Sequence, residues 1–289
     1  MSEPYIFTFG SRQFNLSTRT HIMGVLNVTP DSFSDGGKYL NTEAAVEHAV
    51  TMIEEGADII DVGGESTRPK GSAYGAGAEE VEAEEELRRI LPVITRLAKL
   101  TSVPISVDTY KSGVAKQALD AGAVIVNDIS GLTFDNEMAA VVASKGASLI
   151  LMHIKGTPKT MQDNPEYGSL FGEISDFLSA GIETARKAGV TQIMVDPGIG
   201  FGKRVEHNLQ LIKDIGRLQG LGCPIVLGAS RKSFIGRILD VPIDERLEGS
   251  LAAAVAAALN GVHVLRVHDV KETKRAVMVA DAIKSAPTA

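Results

Sequence analysis

The sequence predicts an α/β fold, a single-domain (β/α)8 TIM barrel with a short N-terminal β-hairpin. Three observations carry that expectation. Eight short apolar runs recur along the chain, helical patterns lie between them, and nearly every run ends in a polar side chain suited to binding or catalysis. Strands alternating with helices build a parallel sheet, eight of them suggest closure, and the C-terminal rim of such a barrel carries the active site.

The elements follow in order. Residues 5–16 alternate apolar and polar around Gly10–Ser11, which reads as a hairpin closing the bottom of the barrel. The eight runs are His21–Thr29, Asp58–Ser66, Pro104–Tyr110, Val124–Ser130, Ser148–Ile154, Gln192–Gly198, Pro224–Ser230 and Val262–Asp269. Their C-terminal ends carry Asn27, then Asp61, Thr67 and Arg68, then Asp108, Asn127, His153, Asp196, Lys232, and finally Arg266 and His268. Helical periodicity predicts helices at Thr42–Glu55, Glu79–Leu100, Lys111–Ala121, Glu137–Lys145, Phe171–Ala188, Glu206–Gln219, Leu247–Asn260 and Val270–Ser285, in strict alternation with the strands. Thr42 serves as an N-cap and Gly56 as a stop. The acidic start of the second helix suits the positive end of its dipole. Thr29–Leu40 and Thr67–Ala78 are long, Gly-rich connections on the catalytic rim, a position that favours lids.

Bulk properties narrow the function. The 289 residues match the size of one such barrel. No linker or shift of composition divides them, so residues 1–289 read as one domain with 1–20 as the hairpin extension. A net charge of −7 argues against a broad nucleic-acid surface but leaves room for a local cationic pocket. The single cysteine, Cys223, excludes an intramolecular disulfide framework and reads as a packing residue. Without an apolar run long enough to cross a bilayer or a signal segment, the expectation is a soluble cytoplasmic protein.

Six segments carry chemistry. In G-V-L-N-V-T-P-D-S-F-S-D-G-G, Asn27 either caps a turn or offers an amide to a hard cation or phosphate, and spacing alone does not choose. In D-I-I-D-V-G-G-E-S-T-R-P, Gly63 and Gly64 permit close backbone approach to a ligand, while Thr67 and Arg68 supply a hydroxyl and a forked cation. I-S-V-D-T-Y-K brings Asp108 and V-N-D-I-S-G brings Asn127. With Asp196 of M-V-D-P-G-I-G-F-G-K they form an amide-and-carboxylate set suited to the edge of a heterocycle with several N–H groups. The glycines at 198, 200 and 202 fit neither G-x-G-x-x-G nor a Walker loop. L-G-A-S-R-K-S-F places Lys232 and Ser233 near a helix start, a natural anion site. In L-R-V-H-D-V, Arg266 and His268 share one strand face. Metal templates are poor: a tight zinc site is not expected, and magnesium carried by a diphosphate remains compatible.

Together these segments closely resemble the dihydropteroate synthase family, over nearly the whole chain from N-V-T-P-D-S-F to R-V-H-D-V, including M-H-x-x-G-x-P-x-T-M-Q. The resemblance implies a homodimeric (β/α)8 enzyme of folate biosynthesis, a class that sulfonamides target. Its small-molecule substrates would be 6-hydroxymethyl-7,8-dihydropterin diphosphate and 4-aminobenzoate, with Mg2+ as cofactor. It further implies that Asp108, Asn127, Asp196 and Lys232 hold the pterin with Met152 nearby. Asn27 would contact magnesium, and Thr67, Arg266 and His268 the diphosphate. Arg68, Phe201, Lys203 and Ser233 would border the aminobenzoate. Two positions depart from the family pattern: Lys70 stands for a glycine and Ile199 for a frequent Phe. A pterin-dependent methyltransferase is the nearest alternative, but it needs no diphosphate clamp. A non-catalytic pterin-binding module would be expected to lose Asn27, Asp108 or Arg266. A sugar-phosphate barrel enzyme would leave the amide-and-carboxylate set unexplained.

Overall fold

In the computed structural model the described residues are 3–29, 38–66 and 80–287, with the side chains of 38–41 excepted. Their order is β1 (Ile6–Phe9), β2 (Arg12–Asn15), β3 (His21–Asn27), α1 (Lys38–Glu54), β4 (Ile59–Gly63), α2 (Ala83–Leu100), β5 (Ile105–Asp108), α3 (Ser112–Asp120), β6 (Ile125–Asp128), α4 (Met138–Ser144), β7 (Ser148–Met152), α5 (Leu170–Ala188), β8 (Ile193–Asp196), α6 (Val205–Lys213), β9 (Val226–Leu227), α7 (Ser233–Leu239), α8 (Leu247–Leu259), β10 (Val264–Val267) and α9 (Val270–Lys284). Strands β3 to β10 form one parallel eight-stranded sheet. β10 pairs with β3, and a bridge between Val195 and Ile225 joins β8 to β9, so the sheet closes on itself.

Because side chains alternate across a strand, each stave has two faces with separate tasks. Outward residues such as Ile60, Val62, Val107, Val126, Leu149, Leu151 and Val195 join the helices in one core. In α2, Ile90, Val93, Ile94 and Leu97 recur at helical spacing and meet the barrel wall. Inward residues at the lower ends, Met23, Ile59, Ile125, Ile150, Met194, Val226 and Val264, pack against Phe7, Phe9, Phe14 and Leu16 of the hairpin. The hairpin is therefore a plug on the N-terminal end, as its alternation predicts. Burying each of those rings contributes about 1.5–3 kcal/mol. One residue pair higher the inner face turns polar, and the site begins there.

The helices differ from expectation in four places. α1 starts at Lys38, so Thr42 lies inside its first turns and is not its N-cap. α2 starts at Ala83, with Glu82 as its N-cap. The helix expected over Glu206–Gln219 divides into α6 and a 3-10 segment, Ile215–Leu221, because Asp214 leaves helical geometry (φ −111°, ψ 25°). α7 interrupts the strict alternation; of its apolar residues Phe234 and Ile235 are buried and Ile238 and Leu239 exposed, so they mark no single buried face. Gly56 ends its turn at φ +105°, in the left-handed region expected of a stop. Among the described residues no helix is long and apolar enough to cross a membrane.

Candidate active site

A cavity of about 250 Å³ opens at the C-terminal rim, and its walls include Asn27, Asp108, Asn127, Met152, Asp196, Phe201, Lys232, Arg266 and His268. These residues come from seven separate strands or the turns that follow them. Of the other sequence candidates, Ser233 is the first residue of α7, one position beyond the lining Lys232. Thr67 and Arg68 lie outside the described residues, as do Lys70 and most of both long connections expected to act as lids.

The polar centre is built around Arg266. Its Nε donates to Asp61 Oδ2 at 2.6 Å and its Nη2 to Asp108 Oδ2 at 2.6 Å. Asn127 Nδ2 also donates to Asp61 Oδ2, at 3.1 Å. That bond fixes the amide's orientation and leaves its carbonyl oxygen as an acceptor. Asp61 is fully buried beneath the others. Sequence reading placed it at a strand end and gave it no role. The signal was present: Asp61 shares its strand face with Ile59 and Gly63, so a charge there must point into the barrel and needs a partner.

One guanidinium now serves two carboxylates, and the electrostatics follow. Burial pushes Asp108 up to about 7, opposed by Arg266 and reinforced by the charges of Asp61 and Glu86. Burial likewise raises Asp196 to about 6, although Gly198 N–H donates to its Oδ1 at 2.7 Å. Lys232 is lowered to about 8 by burial and by Arg266, with Asp196 and Asp108 opposing. Its ammonium sits 4.3 Å from the centre of the Phe201 ring. Arg266 is raised by the carboxylates around it despite its burial. His268, lowered to about 3 by burial and then by Arg266, is neutral at pH 7. It makes a 3.0 Å hydrogen bond through Nδ1 with Ser230 Oγ. The Arg266–His268 pair expected at the diphosphate is thus one cation and one neutral imidazole.

Part of the wall is apolar: Ile129, Met152, Met161 and Phe201 line the cavity and belong with Ile154 to one cluster. The cavity therefore offers hydrogen-bond acceptors, a cationic centre and a greasy face to one flat molecule. Just beyond the C-terminal end of β4, Glu65 lines the cavity and accepts from Tyr110 Oη at 2.9 Å, while Lys111 bridges Glu65 and Glu86.

Two expectations need correction. Gly64 admits no ligand: a Cβ there would lie 2.8 Å from Ile90 Cγ2 and 3.0 Å from Glu86 Cγ, so the bare backbone admits α2 instead. Lys203 is absent from the cavity wall. It is 3% exposed, and its Nζ turns beneath the loop to His153 Nδ1 (2.9 Å) and Phe201 O (2.9 Å). The glycines before it explain the turn: residues 198, 200 and 202 have φ of +72°, +84° and +64°, so the chain winds tightly and aims residue 203 inward.

Among the described residues, Asn27 is the side chain that could hold a cation, and only one shared with a ligand. Asn27 presents its amide to the cavity with no hydrogen-bond partner among the described residues. No three His, Cys, Asp or Glu side chains converge as a metal cage among the described residues. One protein amide plus ligand oxygens and water suits magnesium, which keeps much of its hydration.

Comparison with known proteins agrees with this geometry. Residues 23–268 match the family described as pterin binding enzyme. The chain is 48% identical to a dihydropteroate synthase of Synechocystis sp. over 277 residues, covering 95% of this chain and 93% of that one. Among solved structures it resembles the Yersinia pestis dihydropteroate synthase in a sulfonamide drug complex, at 43% identity and TM-score 0.90, covering 98% of this chain and 100% of that one. It also resembles the Xanthomonas albilineans dihydropteroate synthase with 4-aminobenzoic acid, at 41% identity and TM-score 0.89, covering 99% of this chain and 100% of that one. The chain belongs to the dihydropteroate synthase family of pterin-binding enzymes.

Proposed function

We propose that this chain acts as a dihydropteroate synthase in folate biosynthesis. It would condense 6-hydroxymethyl-7,8-dihydropterin diphosphate with 4-aminobenzoate and release pyrophosphate. One observation carries the reading: a single cavity holds three acceptors, Asp108, Asn127 and Asp196, beside the cations Lys232 and Arg266. A pterin presents several N–H donors beside a carbonyl and ring nitrogens, which suits that edge, and its diphosphate requires the cations.

The residues then divide the work. Asn127 and Asp196 accept from the pterin, and Lys232 donates to its acceptor atoms. Arg266, anchored on Asp61, neutralises the diphosphate, and neutral His268 contributes a hydrogen bond. Magnesium, when bound at Asn27 and the diphosphate, would supply further neutralisation of the leaving group. The methylene C–O bond breaks with its electron pair passing to pyrophosphate, leaving a cation delocalised over the dihydropterin. Asp108, ionised, stands beside that charge. The lone pair of the aromatic amine forms the new C–N bond, and one amine proton is released. The chemistry requires no protein nucleophile.

Two coarser features extend the reading. Ile238 and Leu239 of α7, Leu259 of α8 and Met278, Val279 and Ile283 of α9 are exposed apolar residues on neighbouring helices, which supports a homodimer through this face. Sedimentation of a Met278→Asp/Ile283→Asp variant should show a monomer. The buried, unpaired Cys223 suits a reducing cytoplasm.

The deciding experiment is product formation from the two substrates with and without magnesium. Dihydropteroate with matched pyrophosphate supports the reading. Pterin binding without product would sink it and direct attention to methyl transfer from methyltetrahydrofolate.

A further inference from the structure

Lys203 is a buried lysine that the reaction scheme does not use. Among the described residues no carboxylate touches it. Its Nζ reaches His153 Nδ1 at 2.9 Å, Phe201 O at 2.9 Å and His153 O at 3.5 Å, on two neighbouring turns, and burial holds the amine well below the usual lysine range. Burying such a group for packing alone is costly, which asks what the tether holds.

It holds the turn that frames two ligand-facing groups. Gly198 N–H fixes Asp196 Oδ1, the Phe201 ring lies against the Lys232 ammonium, and a Cβ at Gly200 would stand 3.4 Å from Lys232 Cδ. The turn rests directly on the chain after β7, where a Cβ at Gly198 would come within 1.9 Å of His153 O. A second tether runs in parallel, from Tyr167 Oη to Gly202 O at 2.7 Å. Arg266 and His268 are held by other partners, Asp61, Asp108 and Ser230.

We infer that Lys203 is a positioning residue: through His153 it locks the 198–203 turn so that Asp196, Phe201 and Lys232 form one rigid face for the planar part of the substrate, leaving the diphosphate end untouched. The inference rests on the proposed pterin chemistry, so wild-type protein is first titrated with 6-hydroxymethylpterin and, separately, with magnesium pyrophosphate. Failure of the wild type to bind the pterin overturns the functional reading and this inference with it.

Lys203→Met keeps the chain's length and removes its donors. The expected result is a tenfold or greater loss of pterin affinity with pyrophosphate affinity within about twofold. Tyr167→Phe, which cuts only the second tether at a half-buried site, should weaken pterin binding about threefold in the same selective way. Unchanged pterin affinity in folded Lys203→Met, or equal losses for both ligands, overturns the inference. If circular dichroism shows that Lys203→Met does not fold, Tyr167→Phe decides: wild-type pterin affinity there overturns the inference, and a selective loss upholds it.

Discussion

Asp61→Asn should separate the two tasks of the Arg266 centre. The substitution keeps the side chain's shape and removes one of two negative charges on a single guanidinium. Carboxylates bound to Nε and Nη2 of one arginine lie roughly 5 Å apart, so at an effective dielectric of about 20 their repulsion is on the order of 3 kcal/mol, or about two pKa units. Asp61 is among the charges that raise Asp108 to about 7. Its loss should therefore lower that value by about one to two units. Since the mechanism uses ionised Asp108, kcat/KM rises as pH climbs through its pKa, and the acid limb of the variant should move to lower pH. Stability responds through the same group. A carboxyl raised in the fold contributes stability that is fully present below its ordinary 3.8 and lost as pH rises toward 7, and that loss should shrink in the variant. Against this stands the lost charge-assisted bond to Arg266, about 1.5–3 kcal/mol, which should win and leave the variant less stable at pH 7. The assay is a pH series of kcat/KM together with urea unfolding at pH 5 and 8. An acid limb that stays in place, or moves upward, refutes the reasoning.

Three further perturbations test other parts of the molecule. Arg266→Ala strands Asp61 and Asp108 without a counter-charge, so it should cost about 3–5 kcal/mol in urea unfolding. It should also weaken binding of the dihydropterin diphosphate far more than of the pterin alcohol in calorimetry; equal losses would place Arg266 elsewhere. Lys232→Arg should move the alkaline limb of kcat/KM, near pH 8 in the wild type, upward by at least two units, because guanidinium does not titrate there. A limb that remains near 8 would assign it to another group. Phe9→Ala removes a ring that is 1% exposed in the hairpin plug and should cost about 3–5 kcal/mol, with KM for both substrates unchanged.

The barrel was legible because β-strand alternation is short-range chemistry. Apolar residues on both faces of each run mark a buried parallel strand, and the polar residue at its end marks the rim. The rim positions of Asn27, Asp108, Asn127, Asp196, Arg266 and His268 follow from that parity, whereas their roles do not: for Asn27 spacing left a turn cap and a ligand contact equally open. Lys203 does not, because parity fails in a turn with three left-handed glycines, where direction depends on dihedrals rather than spacing. Asp61 lay in phase with the inner face, but its importance comes from Arg266, 205 residues away, and from Asn127, two strands along the barrel. α7 was hidden because its apolar residues do not share one buried face: Phe234 and Ile235 are buried while Ile238 and Leu239 are exposed.

The closure described above has one thin stave. β9 has two residues, and the Val195–Ile225 bridge is its junction with β8. A hoop opens where its staves overlap least, so the backbone amides of Val226 and Leu227 should lead the barrel in hydrogen exchange. The turn carrying Ser230, Arg231 and Lys232 springs from that stave, and Asp196 ends its neighbour. The turn after β8 reaches across that seam, where the Phe201 ring meets the Lys232 ammonium at 4.3 Å, so side chains join the two staves that the backbone joins least. A short stave is thus lashed across its rim by side chains, and the length of one strand decides where that lashing is needed.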